Sequence, residues 1–255
     1  MLTYIVMTHT AWNRFIKARE HYREGLEKLN RDLPDLRVLQ QRLVDNRSPS
    51  YTVETPIVYN TAIDDIQKDS DIRLILVADN PGRREQASEN RRYLVGPSGK
   101  IAEKFFRDNP SLKIDFRKNV IILNKTPIHT PRTVELKELC AFGGTALKKA
   151  LDESQRLMAR LLFEFHIALS YGNEKPVPVW ITGYSEMKKT GVFAAYTNEL
   201  KTIYNKSELV KTLFLYRHFS MNQFTIDLKR QTASGESAAR ALKRIGAAYR
   251  RNFLI

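Results

Sequence analysis

The chain has 255 residues, of which 42% are apolar and 27% charged, proportions that are ordinary for a globular protein and exclude wholesale disorder. A chain of this length fits one α/β domain better than two. Lys and Arg outnumber Asp and Glu by 42 to 28, a net charge of +14. This excess favours polyanionic partners, because each neutralised phosphate releases counterions. A basic surface that serves solubility alone explains the charge equally well.

Cysteine usage and hydropathy indicate the compartment. Cys140 is the only cysteine, so no intrachain disulfide can form, and a reducing environment is the natural inference. The first residues, MLTYIVMTHTAWNRF, carry neither a basic leader nor an apolar run long enough for a signal peptide. Later apolar runs are too short to span a bilayer. We therefore expect a soluble cytoplasmic protein without membrane contact, nucleoid-associated if it is bacterial.

The predicted elements begin with helix over 11–45, which Pro34 divides into two helices. A connecting loop is predicted at 46–55 and a short extended piece at 56–59. Four apolar runs then predict strands, namely IRLILVA (72–78), VIIL (120–123), VPVWIT (177–182) and TLFLY (212–216). Because these runs show no polar alternation, both faces are expected to be buried, as in a parallel sheet.

Helical patterns separate the strands, at 98–107, 146–170 and 193–204, and a last helix is predicted at 236–250. Strands that alternate with helices imply right-handed crossovers and helices on both faces of the sheet. We predict an α/β protein, a three-layer α/β/α sandwich with a central, mainly parallel four-stranded sheet. The whole chain, 1–255, is predicted to be one domain, with 1–45 as an N-terminal helical extension.

The residues that directly follow each strand are the candidates for binding and catalysis, because open parallel sheets bind ligands outside the carboxyl ends of their strands. Those expected to converge on this edge include Asp79, Asn80, Asn124, Ser185, His218 and Ser220. Each has a structural interpretation as well. The sequence Asn80-Pro81-Gly82 is a good turn, Asn124 can hold a loop, and His218 can be a buried, hydrogen-bonded histidine.

Four segments resemble motifs of the uracil-DNA glycosylase superfamily, in the family's order. ADNPGRREQ (78–86) resembles its first motif in the Asn-Pro-Gly form of the mismatch-specific and single-strand-selective branches. RRYLVGPSGKIAEKFF (91–106) and VIILNKTPIHTP (120–131) resemble a loop-helix segment and a strand with its asparagine in the thermophile-type branch. LYRHFSMNQF (215–224) resembles the His-Pro-Ser motif. The resemblance covers about residues 72–230 and implies the glycosylase fold.

The resemblance implies an enzyme of base excision repair, which flips the target base out of the stack and hydrolyses its glycosidic bond. It implies that Asn124 binds the O4 and N3–H edge of uracil through one donor and one acceptor. His218 donates to O2, where negative charge develops, and Asn80 holds the attacking water by its carbonyl. The further residues implied to bind the base are Pro81, Gly82, Tyr93 and Leu94.

The resemblance also implies DNA contacts. The helix that begins near Ser98, between Gly96 and Gly99, is implied to bind a backbone phosphate at its N-terminus. Met221 is the candidate wedge that fills the gap left by the flipped base, with core packing as the alternative. The other implied DNA contacts are Lys100, Ser220, Arg83 and Arg84. Basic residues of the last helix and tail are expected either to contact phosphates or to form a solvated face, namely Arg240, Lys243, Arg244, Arg250 and Arg251.

Several residues depart from the family pattern. Ala78 replaces a glycine, Leu94 replaces the aromatic residue that stacks on the base, with Tyr93 as its possible substitute, and Phe219 replaces a proline, which predicts a less constrained loop. Asp79 occupies the place where the thermophile-type branch keeps an acidic residue, and it either acts as the base or orders the loop. The four cysteines of that branch's iron–sulfur cluster are absent. Neither a cofactor nor a metal is expected.

Two other hypotheses stay open. A nucleic-acid-binding protein that keeps the fold without turnover is consistent with Ala78, Leu94 and Phe219. A hydrolase that uses Ser185 or Ser220 with His218 and Asp79 is the other, although the chain has no G-x-S-x-G elbow. The sequence leaves the preferred base, the choice between single and double strands and the oligomeric state open.

Overall fold

The computed structural model describes residues 7–254, and residues 1–6 and 255 lie outside the description. Four strands form one sheet, β1 (Leu74–Ala78), β2 (Val120–Asn124), β3 (Val179–Thr182) and β4 (Leu213–Tyr216). Their spatial order is β2-β1-β3-β4, and all three neighbouring pairs are parallel. All four predicted strands are confirmed, and the largest differences in their bounds are two residues, at the starts of β1 and β3.

Seven α-helices accompany the sheet within the described residues, α1 (His9–Asp32), α2 (Leu36–Asp45), α3 (Pro97–Asp108), α4 (Glu135–Ser170), α5 (Ala194–Tyr204), α6 (Gln223–Gln231) and α7 (Ala238–Phe253). The predicted division near Pro34 is confirmed, since α1 ends at Asp32 and α2 begins at Leu36. The segment 56–59 contributes one antiparallel bridge, between Ile57 and Ile128. Helix α6 was not predicted, and α4 begins eleven residues before the predicted start at 146 (146 − 135), with a non-helical break at Gly144.

The two faces of the sheet carry separate cores, because successive side chains of a strand point in opposite directions. Ile75 and Val77 of β1 belong to a cluster with α1, α4 and α5. Leu74 and Leu76 belong to the other cluster, with α3, α6 and the start of α7. All β-strand residues are buried, as in a sheet covered on both faces. The predicted three-layer α/β/α sandwich is confirmed.

The first helix packs against α4 and contributes to the core. Thr8 caps α1 by accepting a hydrogen bond from the backbone N–H of Ala11 at 3.1 Å. The buried positions recur every three or four residues, Ala11, Phe15, Ala18, Tyr22, Leu26 and Leu29. The rings of Phe15 and Tyr22 contact that of Phe165 on α4, with centroid distances of 5.4 and 6.5 Å. This apolar stripe therefore determines which face of α1 packs against α4.

No helix in the described range 7–254 combines the length and the apolar character needed to cross a membrane.

Candidate active site at the carboxyl edge of the sheet

The strand register brings the ends of the four strands to one edge. Ala78 pairs with Asn124, and Thr182 pairs with Tyr216. The residues that follow these positions therefore lie side by side. The backbone N–H of Lys125 donates to the carbonyl oxygens of Ala78 and Asp79, both at 3.0 Å. The residues that follow the strands in sequence therefore lie at the carboxyl edge of the sheet, as expected for parallel strands.

Lys125 and Asp79 form a buried ion pair at the centre of this edge. The side chain of Lys125 is 0% exposed, and its Nζ donates to Asp79 Oδ1 and to the carbonyl oxygen of Thr182. The ammonium also lies 4.8 Å from the ring centroid of Phe193. Burial lowers the pKa of Lys125, while the carboxylates of Asp79 and Glu186 oppose that shift.

Gly183 leaves room for the Asp79 carboxylate. Its backbone is left-handed, with φ of 76°, and a Cβ at this position would lie 2.4 Å from Asp79 Oδ1. A side chain at position 183 would therefore displace the carboxylate, in addition to straining the backbone. Glycine is required here for a close approach and for the backbone conformation together.

Asn80 is half-buried, and its amide is oriented by two threonines. Nδ2 donates to Thr130 Oγ1 at 2.9 Å, and Oδ1 accepts a hydrogen bond from Thr133 Oγ1 at 3.0 Å. Thr133 Oγ1 also lies 3.3 Å from Asp79 Oδ2. A carbonyl oxygen has two lone pairs, so the Oδ1 of Asn80 keeps one acceptor site for a further donor.

His218 is half-buried and its tautomer is fixed by the following turn. The backbone N–H of Ser220 donates to Nδ1 at 3.0 Å, and Ser220 Oγ lies 2.8 Å from the same nitrogen. Because a backbone N–H can only donate, Nδ1 is the unprotonated nitrogen and Nε2 carries the hydrogen in the neutral ring. Burial lowers the pKa of His218, Asp79 opposes this effect, and Lys125 adds to it. The imidazole is therefore neutral near pH 7 and presents Nε2–H as a donor.

Asn124 is a buried amide with an unused donor. The residue is 1% exposed, and Nδ2 finds no hydrogen-bond partner among residues 7–254. Leaving a buried donor unpaired costs about 1–3 kcal/mol, so such groups are rare in folded proteins. An acceptor brought by a ligand would remove this cost.

Tyr93 and Leu94, predicted to line a base pocket, both lie in the core. Tyr93 is 1% exposed, donates through its hydroxyl to the Val58 carbonyl oxygen at 2.6 Å, and accepts from the Tyr22 hydroxyl at 3.0 Å. Leu94 is buried in the cluster on the α3 face, with a left-handed φ of 53°. The direction of Tyr93, undefined by sequence, is thus toward α1 and away from solvent.

Glu85 and His129 brace the loop after β1, and sequence reasoning missed both. The Glu85 carboxylate accepts the backbone N–H of Gly82 at 2.7 Å and faces those of Leu94 and Val95, and burial raises its pKa to about 7. His129 donates from Nδ1 to the Pro81 carbonyl oxygen at 2.8 Å. Burial lowers the pKa of His129 to about 4. The hydrogen bond from His129 therefore holds Pro81, and the hydrogen bond to Glu85 holds Gly82.

The predicted DNA contacts lie around this edge with varied exposure. Gly96 caps α3 without a side-chain hydrogen bond, and Gly99 packs so closely on Leu94 that a Cβ would lie 1.6 Å from the Leu94 carbonyl oxygen. Ser98 is half-exposed and Lys100 exposed at the first turn of α3. Arg83 and Arg84 are exposed and line a cavity of about 570 Å³ beside the loop after β1.

The turn after β4 departs from one sequence expectation. Met221 is 77% exposed with a left-handed φ of 51°, so the core-packing alternative for this residue is wrong. Phe219 is fully buried and stacks on Phe224 at a centroid distance of 4.3 Å. Phe219 therefore anchors the turn at the position where the family has proline, and the expectation of a less constrained loop stays a prediction.

One member of the predicted C-terminal basic group does not face solvent. Arg250 is buried, and its guanidinium donates to the carbonyl oxygens of Val210, Lys211 and Leu213. Both alternatives predicted for Arg250, a phosphate contact and a solvated face, are therefore wrong. Arg244 is exposed and paired with Glu236. The other members of the group are also exposed, namely Arg240, Lys243 and Arg251.

Groups of His, Cys, Asp and Glu suited to hold a metal ion are absent from the described residues. No protein-family model matches the chain, and no curated protein matches it either. The fold and the polar edge define an α/β protein whose site lies where parallel sheets bind their ligands.

Proposed function

We propose that the protein is a DNA glycosylase, which hydrolyses the N-glycosidic bond of uracil or a related damaged base flipped out of DNA. The observation that carries this proposal is the neutral His218, whose Nε2–H is the free donor of a ring fixed through Nδ1. Asp79, Asn80 and the unpaired amide of Asn124 lie at the same edge of the sheet. A fixed donor, a polar group for water and an amide for base recognition are the parts that base excision needs.

Recognition of the base is assigned to Asn124. Its buried Nδ2 lacks an acceptor among the described residues, and a base carbonyl such as O4 of uracil supplies one. The amide oxygen of the same side chain can accept the N3–H of uracil. Cytosine presents the opposite pattern, a donor at position 4 and an acceptor at N3, and leaves the Asn124 donor without its partner.

The chemical step is a displacement at the sugar carbon C1′. The bond between C1′ and N1 breaks, its electron pair goes to the base, and His218 Nε2–H donates to O2, where the negative charge gathers. Water forms the new bond to C1′ and gives its proton to Asp79, while the Asn80 Oδ1, oriented by Thr133, accepts the other hydrogen of this water. The imidazole stays neutral in this step, and Asp79 has Lys125 as its counter-ion.

DNA binding is assigned to the basic surface around this edge. The net charge of +14 supplies non-specific affinity, and Arg83, Arg84 and Lys100 are exposed beside the site. Met221, exposed on a left-handed turn three residues after His218, is proposed to enter the base stack. These contacts predict a salt-dependent affinity for DNA.

A nucleic-acid-binding protein without turnover is the second candidate. The burial of Tyr93 and of Asn124 favours it, because side chains that are each 1% exposed give a flipped base no access unless the surrounding loops move. The serine hydrolase has less support. Ser220 Oγ faces His218 Nδ1, yet no hydrogen bond joins Asp79 to His218 in the part of the chain that the structure describes.

The test is cleavage of a labelled oligonucleotide with one uracil, single-stranded and opposite guanine, followed by alkali. Wild type, His218→Ala and Asn80→Ala are compared with the exposed-site controls His9→Ala and Asn198→Ala. Cleavage that falls sharply in the first two variants and stays unchanged in the controls supports the glycosylase. No cleavage, with tight and salt-sensitive binding of plain DNA, replaces it with the binding protein.

A further inference from the structure

We infer that Lys125 is a positioning residue of this site, which acts on the reaction through Asp79 and His218. The inference rests on the proposed function and extends it to a residue for which the sequence indicated no role. Lys125 directly follows the proposed base-binding Asn124, and it lies beneath the edge with its side chain fully buried. It touches no solvent, so it has to act through its neighbours.

The geometry holds Asp79 from two directions. The backbone N–H of Lys125 bonds to the Asp79 carbonyl oxygen at 3.0 Å, and Nζ donates to Asp79 Oδ1. The Thr182 carbonyl oxygen and the Phe193 ring occupy the other sides of the ammonium. Asp79 Oδ2 remains for Thr133 and for water. One carboxylate oxygen is thus fixed to the protein and the other is aimed at the edge.

An ion pair of this kind contributes little to stability by itself. Removing two charges from water costs roughly what their attraction returns, and apolar replacements of similar volume are often as stable. Lys125 is therefore better explained by its effect on the charge of its neighbours than by an effect on folding.

The charged groups that act on His218 are Asp79 and Lys125, which have opposite effects on its pKa. Those that act on Lys125 are Asp79 and Glu186. The ammonium of Lys125 opposes protonation of the imidazole. Without it, His218 would take up a proton more readily, whereas the proposed reaction needs a neutral ring.

The experiment is a titration of His218 followed by NMR of its ring, identified as the signal that His218→Gln removes. In Lys125→Met the midpoint is expected to rise by about 1 pH unit, the usual effect of one nearby charge. The control Arg250→Met removes a buried cation remote from the site and should leave the midpoint unchanged. An unchanged midpoint in Lys125→Met overturns the inference.

If Lys125→Met does not fold, Asp79→Asn with and without Lys125→Met gives the same comparison without a buried unpaired carboxylate. The midpoint is then expected to be higher in the double variant, and equal midpoints overturn the inference.

The pH profile of uracil cleavage separates positioning from a general loss of structure. In Lys125→Met the acid limb is expected to move to higher pH, because the charge that opposes protonation of His218 is gone. A rate lowered equally at every pH contradicts the inference. If the wild type cleaves no uracil, the proposed function fails, whereas the His218 midpoint still decides whether Lys125 controls this site.

Discussion

Two histidines in different regions, the buried His166 and the half-buried His218, show that the same ring can have both nitrogens paired or keep one donor free. His166, in the core between α4 and α5, bonds through Nδ1 to the Tyr204 hydroxyl at 2.9 Å and through Nε2 to Thr212 Oγ1 at 3.2 Å. His218, at the carboxyl edge, bonds only through Nδ1 within the described residues. Burial lowers the pKa of both, that of His166 to about 4.

The difference lies in the second nitrogen. Both rings are neutral near pH 7, so neither carries a charge for catalysis. In His166 both nitrogens are satisfied by hydroxyl groups and nothing is left for a ligand. In His218 the backbone fixes the tautomer and Nε2–H stays available. A lowered pKa therefore does not distinguish the two rings, whereas an unused, fixed donor does.

The largest expected effect is on the rate after His218→Ala. Loss of the donor to the leaving base should slow uracil release by roughly 10²–10³-fold, as for other fixed donors to a developing anion. Stability should change little, because the half-buried ring has one side-chain partner, Ser220. Single-turnover cleavage and urea unfolding measure the two quantities. A loss of activity matched by a loss of folded protein would contradict the assigned role.

The reverse is expected for His166→Ala. The variant leaves a cavity and an unpaired Tyr204 hydroxyl in the core, at a cost of about 2–5 kcal/mol in unfolding free energy. The rate per folded molecule should match the wild type, since His166 lies away from the edge. Urea midpoints and active-site titration test this. A urea midpoint equal to that of the wild type would show that His166, although both of its ring nitrogens are hydrogen-bonded, has no structural role.

A smaller effect is expected for Gly183→Ala, with Gly235→Ala as its matched control. Both glycines have a positive φ, 76° and 73°, but a Cβ meets Asp79 Oδ1 at position 183 and open space at position 235. Gly235→Ala should therefore cost about 1–2 kcal/mol for the left-handed backbone alone. Gly183→Ala should cost more and also slow cleavage. Equal losses of stability with intact activity would remove the close approach to Asp79 from the account.

Glu85 predicts a pH dependence of stability at the loop after β1. Burial raises its pKa from 4.5 to about 7, so the folded protein binds a proton that the unfolded chain releases between these values. The contribution to stability is thus largest below about pH 4.5 and falls until about pH 7. In Glu85→Gln this fall, about 3 kcal/mol, should disappear.

The measurement is urea unfolding of the wild type and Glu85→Gln from pH 4.5 to pH 8, with exposed Glu89→Gln as control. The free energy of unfolding of Glu85→Gln should increase relative to that of the wild type as pH rises. That of Glu89→Gln should change with pH as the wild type does. Parallel curves for all three proteins would exclude a buried carboxyl with a raised pKa.

The smallest effect is expected for Met221→Ala. Since the side chain is 77% exposed, its loss should not alter stability. Cleavage of uracil in a duplex should slow by roughly tenfold, because the gap left by the flipped base is no longer filled, and cleavage of single strands should change less. Ile226→Ala, 58% exposed on α6, is the control. Equal effects on both substrates would argue against a wedge.

The sheet and most of its helices follow from the sequence because apolar runs and helical periods are local signals. Helix α6 was not predicted because Phe224 and Asp227 are its only buried residues, which are too few to form an apolar stripe. The start of α4 was missed because Gly143 and Gly144 indicate a loop, while the structure continues as helix on both sides of Gly144. The inward position of Arg250 could have been found, since it continues the buried stripe through Leu242 and Ile245.

The candidate site was predictable where a residue follows a strand and not where its role depends on a distant partner. Asp79, Asn124 and His218 stand out at strand ends. Lys125 reads as one more basic residue until the β1–β2 register places it against Asp79. The direction of Tyr93 depends on Tyr22, 71 residues earlier, and the burial of Glu85 depends on the loop at 94–95. Such pairings exist only in the folded chain.

The most direct measurement is the release of free uracil from a uracil-containing oligonucleotide, detected by mass spectrometry. Wild type, His218→Ala and His166→Ala are compared at equal concentrations of folded protein. The account predicts free uracil from the wild type and from His166→Ala, and roughly 10²–10³-fold slower release from His218→Ala. No uracil from the wild type, or equal release from all three proteins, would contradict it.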